Sequence, residues 1–198
     1  MEVKPRFYAI GLAVAVVEEF ITQGVLKRSP VGWIIPTFIA FLPFLIVVRQ
    51  INKILDRRMV EFKAVLAYYV ISGVIGLTTE WLIIGLSPWS NPAANPLLIL
   101  ILQVGIFSFW SSVALAPKLL LDRRASIVRV RRWFKLFLTF GFVSIYVLTL
   151  LASRETRSIV GIGSVLATFI PLNFFYFTYV RTLPKQSDTG RALQALST

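Results

Sequence analysis

The run FYAIGLAVAVVEEFITQGV, residues 7–25, carries two adjacent carboxylates and no other charge. At about 1.5 Å of rise per residue, a helix of this length nearly crosses a hydrocarbon layer of about 30 Å. A second run, YYVISGVIGLTTEWLIIGL, residues 68–86, aligns with it without gaps at an offset of 61. Tyr8/Tyr69, Ile10/Ile71, Glu19/Glu80 and Gly24/Gly85 are identical. Phe7/Tyr68, Gly11/Ser72, Ala15/Gly76 and Phe20/Trp81 are like for like. Apolar matches between membrane helices carry little information, so the weight rests on the shared Glu-aromatic-aliphatic-x-x-Gly pattern. An internal repeat of span one with span three competes here with chance.

The rest of the chain has the same character. Of 198 residues, 57% are apolar and only 15% charged, with a mean hydropathy of +0.76, so the surface must face lipid. Six runs are long enough to span: 7–26, 31–50, 64–86, 96–116, 134–152 and 159–180. The reading is an all-α, polytopic transmembrane helical bundle. It forms a single integral-membrane domain over 1–182, followed by a short polar cytoplasmic tail, 183–198. The first run lacks the small-residue cleavage pattern of a secretory signal and is interrupted by Glu18-Glu19, so it reads as span one.

Of the 21 Lys and Arg, 17 fall on one side of these spans and Lys27, Arg28, Arg154 and Arg157 on the other. The positive-inside rule makes both termini cytoplasmic, which also requires an even number of spans. A multi-pass protein of the plasma membrane or a bacterial inner membrane follows, with the lipid bilayer as its first partner. Topology thereby accounts for the net charge of +12 without nucleic acid. Residues 122–135 place Arg123, Arg124, Arg129, Arg131 and Arg132 among Ile127, Val128, Val130, Trp133 and Phe134. They read as a cytoplasmic loop lying along the interface, where anionic lipid headgroups or an acidic partner can bind.

With no Cys and no His, the chain has no disulfide, no thiolate nucleophile, no imidazole base and no haem or zinc ligation by those residues. No metal site is expected, and the cofactor is unknown. An ionisable group in hydrocarbon must be paired, protonated or wet. Glu18, Glu19 and Glu80 therefore mark a candidate ligand- or proton-binding site, with Gln23 and Gln103 in support and all in the outer half of the membrane. Residues four apart lie nearly above one another on a helix. Gly11, Ala15, Glu19 and Gln23 thus form one stripe, and Ser72, Gly76 and Glu80 another. Small-residue faces let helices approach closely in lipid, so spans one and three are expected to pack together with Glu19 near Glu80. Glu18, about 100° around the helix, would point to a groove beside them. The uncharged outer connection SPWSNPAANP, 87–96, supplies Trp89, Asn91 and Asn95 as a candidate lid or as a tight interfacial link. Asn173 extends a polar path or makes a helix–helix hydrogen bond. Pro36, Pro43 and Pro171 are expected to bend their helices; Pro43 and Pro171 open a ligand groove, act as hinges or simply shape the bundle.

Two carboxylates held close in a low dielectric cannot both stay ionised, so the pair can hold or pass a proton. It can also coordinate a hard cation with amide oxygens, meet the polar end of an apolar ligand, or simply hold helices together. Glu18-Glu19-Phe20-Ile21-Thr22-Gln23-Gly24 resembles the Glu-Glu-x-x-x-Arg-Gly helix motif of the CAAX-prenyl-protease and bacteriocin-processing family. Gln23 stands at the arginine and the catalytic histidines have no counterpart, so that activity is not expected. Val17-Glu18-Glu19-Phe20 resembles the acidic helix motif of small membrane-embedded lycopene cyclases, which implies cyclisation started by a carboxylic acid. Three functions remain open. They are binding or transport of a small ligand, lipid, proton or cation; a non-catalytic subunit with a membrane-protein partner or a second copy; and an enzyme acting on an isoprenoid or lipid. An enzyme ranks behind the non-catalytic readings.

Overall fold

The computed structural model describes residues 3–26, 31, 33–84 and 95–183, and these form six long helices. They are α1 (Val3–Glu19), continued by a π-helical segment (Phe20–Leu26); α2 (Ile34–Arg58); α3 (Glu61–Thr79), continued by a second π-helical segment (Glu80–Ile84); α4 (Pro96–Leu121); α5 (Val128–Leu151); and α6 (Arg157–Arg181). All six are long and apolar enough to cross a membrane. Lys27, Arg28, Trp89, Asn91 and the tail from 184 lie outside the described residues.

The helices run further than the apolar stretches. α2 continues to Arg58, leaving only Met59 and Val60 before α3. The segment read as an interfacial loop is mostly helix: after a single 3₁₀ turn (Ala125–Ile127), α5 begins at Val128 and takes in Arg129, Arg131, Arg132 and Lys135. The backbone keeps its internal hydrogen bonds past the hydrocarbon edge, and long basic side chains reach water from a helix as well as from a loop. At the other end of the bundle Asn95 caps α4, its Oδ1 accepting the Leu97 N–H at 2.9 Å, with Pro96 at the first helical position.

Helix α4 is the centre of the bundle. It packs on α1, α3 and α6, whereas α5 lies at the edge, packed on α6 and on the first π segment. Half of α4's apolar window is buried, against 17% for α5. The expected pairing of spans one and three gives way to this arrangement, because the small stripes of both helices receive side chains of other helices. A Cβ on Gly76 would lie 2.0 Å from the Trp110 ring, and one on Gly73 would meet Phe107 and Ser111, all on α4. One on Gly11 would strike Leu45 of α2 and approach the Val113 carbonyl of α4. A small face accepts a large neighbour as readily as another small face.

Pro36 lies in the first turn of α2, where no helical hydrogen bond is lost. Pro43 and Pro171 are interior to α2 and α6 and are exposed.

Candidate functional site

Both glutamate-bearing helices change winding at the glutamate. α1 ends at Glu19 and becomes π-helical at Phe20, and α3 ends at Thr79 and becomes π-helical at Glu80. Each π segment is the last described stretch of its helix, and π winding is rare. The Thr22 hydroxyl donates to the Glu18 carbonyl at 3.2 Å where the first ladder changes, and the Thr79 hydroxyl to the Ile75 carbonyl at 2.9 Å before the second.

The buried carboxylate of span one is Glu18, while Glu19 is only half-buried. Helical phase explains the difference from expectation. At about 100° per residue, Glu18 lies about 20° from the direction of Gly11, whereas each i+4 step drifts about 40° and brings Glu19 to about 80°. The inner face of α1, made of Phe7, Gly11, Val14 and Ala15, therefore takes in Glu18. In α3 the inner face includes both Ser72 and Gly73, so Glu80 falls within it and is buried.

Trp110 fixes Glu80. Its indole N–H donates to Glu80 Oε1 at 3.0 Å, and its ring occupies the space that Gly76 leaves open one turn earlier. Nearer the Asn95 end of α4, the Trp81 indole donates to Gln103 Oε1 at 2.7 Å. Glu80 and Gln103 are thus both held by tryptophans between α3 and α4. Gln23 is half-buried in the first π segment. Asn95 is a helix cap, and the other two lid residues, Trp89 and Asn91, are not described. Among the described residues no three acidic side chains stand together.

A polar seam below Glu80 centres on Asn173, which makes the helix–helix hydrogen bond expected of it, with partners that the sequence did not single out. The Tyr69 hydroxyl donates to Asn173 Oδ1, and Asn173 Nδ2 donates to Ser108 Oγ at 2.9 Å, joining α3, α6 and α4. Ser111 donates to the Tyr69 carbonyl at 3.1 Å and Ser112 to the Ser108 carbonyl at 2.6 Å. The signal was present as three serines within Ser108-Phe109-Trp110-Ser111-Ser112 of a span.

The basic residues divide into two groups. Arg124 grips Glu61 with two bonds, of 2.7 and 2.6 Å, and also bonds Asp122, while Arg131 donates to the Asp122 carbonyl. The Tyr179 hydroxyl reaches Asp122 from α6 at 3.1 Å. Burial alone would raise the Asp122 carboxyl, but bonds from the Arg124 side chain and backbone, its charge and the Tyr179 hydroxyl hold it below the ordinary carboxylate range. Arg123, Arg129 and Arg132 are exposed.

Comparison with protein-family models, curated proteins and solved structures gives no match. The chain is a multi-pass membrane protein by its six apolar helices, and its activity must be argued from the residues themselves.

Proposed function

We propose that the protein binds a small molecule in the outer half of the membrane and carries it across, using the carboxylates Glu18 and Glu80 to hold its polar end or an accompanying proton. The supporting observation is that both glutamate-bearing helices turn π-helical at the glutamate. A carboxylate that only joins helices needs one bond to a neighbour. Here two altered backbones, Glu18, Glu19, Glu80, Gln23 and Gln103 stand toward the outer end of the helices, with two tryptophan N–H groups orienting the α3–α4 side. Irregular backbone within a bundle is tolerated where it lines a cavity or is buried in protein.

The test is to purify the full chain, Glu18→Gln and Glu80→Gln in mild detergent and compare co-purifying small molecules by mass spectrometry. A molecule held by the wild type and lost from both variants, with all three monodisperse, is the expected outcome. Its uptake into vesicles should then follow an imposed pH gradient in the wild type alone. The same bound molecules on all three proteins overturn the proposal and leave the carboxylates as helix contacts.

One observation favours the enzyme reading as second. Trp110 stacks on Phe41 at 4.4 Å and meets Phe44 edge-on at 4.6 Å, placing aromatic faces beside Glu80. A carboxylic acid next to aromatic rings suits protonation of an isoprenoid and stabilisation of the resulting cation. Those rings are buried against one another, so a substrate would have to part them. A new pigment or lipid in cells expressing the chain, lost in Glu80→Gln, would establish this reading over the first.

A further inference from the structure

We infer that the basic end of α5 is a binding site for the headgroup of an anionic phospholipid. A groove of about 390 Å³ is lined by Val128, Arg129, Arg132, Trp133 and Leu136, all on one face of the helix. Its two arginines are exposed and make none of the ion pairs that occupy Arg124. Internal bonding therefore takes up Arg124 and Arg131, and leaves Arg129 and Arg132 one turn apart with their charge directed outward. Two guanidiniums at that spacing match a phosphodiester, which accepts hydrogen bonds at two oxygens.

The surroundings select a lipid over a soluble phosphate. Val128, Trp133 and Leu136 are 46, 59 and 52% exposed, which a site for a fully hydrated anion would not require. Below Leu136 the same side of α5 continues through Phe140 and Val143, 73 and 55% exposed. One unbroken surface thus leads from the arginines to the hydrocarbon, with Trp133 at the depth where indoles anchor. A headgroup phosphate on Arg129 and Arg132 lays its acyl chain along Leu136, Phe140 and Val143. α5 is also the least buried span, so the surface is open to lipid in the monomer.

The experiment is native mass spectrometry of the full chain, delipidated and then exposed to equimolar phosphatidylglycerol and phosphatidylcholine. The wild type should retain phosphatidylglycerol preferentially. Arg129→Gln with Arg132→Gln should lower that preference about twenty-five-fold, from about five-fold per arginine near a membrane surface. Arg123→Gln, which removes one exposed charge outside the groove, should leave it unchanged. Equal retention of the two lipids by the wild type overturns the inference, as does undiminished preference in the double variant. An equal loss in Arg123→Gln would mean diffuse attraction to basic charge and would overturn it too.

Discussion

Gly76 and Trp110 govern the carboxylate site at the scale of single residues. The indole reaches Glu80 only because position 76 has no side chain: an added Cβ would sit 2.0 Å from the ring's Cγ. Neither the α3 backbone nor the packed ring can yield that distance cheaply. Gly76→Ala should therefore destabilise the detergent-solubilised protein by about 1–3 kcal/mol, the usual cost of overpacking. Gly163→Ala, where nothing lies within 4 Å, should be neutral or stabilise by up to about 1 kcal/mol through helix propensity. Thermal melts of the two variants beside the wild type check both, and equal midpoints for the two would disprove the close fit at Trp110. Glu80 was legible in the sequence because an acidic residue in a lipid-crossing run stands out without any structure. The choice between Glu18 and Glu19 was not, since it depends on where the inner face of α1 is centred, and that is set by its contacts with α2 and α4. Trp110 was hidden for a related reason: a tryptophan in a span is ordinary until its neighbour is known.

Helices are joined at the basic end by a knot of charge that no single span contains. Glu61 opens α3, Asp122 and Arg124 lie between α4 and α5, and Tyr179 comes from the last turns of α6. Asp122 is held below its ordinary value in the folded protein, so the unfolded chain binds a proton there more readily. The stabilisation is fully present above the unfolded value of about 3.9 and is lost as pH falls through the lower, folded value. The thermal midpoint should be insensitive to this group between pH 5 and 7 and decline below about pH 4, and Asp122→Asn should flatten that decline. An acid profile of Asp122→Asn superimposable on that of the wild type would remove Asp122 as its cause. Span number and type were readable, because lipid demands long apolar runs. Helix ends were not, because a charged residue can continue a helix into water as well as end it. The π segments were equally invisible: FITQGVL and EWLII, the latter opening on Glu80, carry no pattern that distinguishes π from α winding.

Sequential helices joined by short connections must alternate in direction, and the whole molecule follows from that with α4 at its centre. Alternation brings the starts of α1, α3 and α5 to one end with the finishes of α2, α4 and α6. That end collects Arg6, Arg57, Arg58, Lys63, Lys118, Arg129, Arg132 and Arg181. The helical arrangement thus gathers the charge that the sequence count assigned to one face. Which face is cytoplasmic rests on the positive-inside rule, and the chain is well suited to a direct check because it has no cysteine. Ser126 lies at the basic end and Glu155 at the other, both exposed, with only α5 between them. In intact cells a membrane-impermeant maleimide should modify Glu155→Cys and should reach Ser126→Cys only after permeabilisation. Reversed labelling would invert the orientation and move the anionic-lipid groove to the outer leaflet. Labelling of both positions from one side would mean that α5 does not cross. Since α5 is also the least buried helix, held mainly by α6 and the first π segment, it is the span on which this labelling pair places the strictest demand.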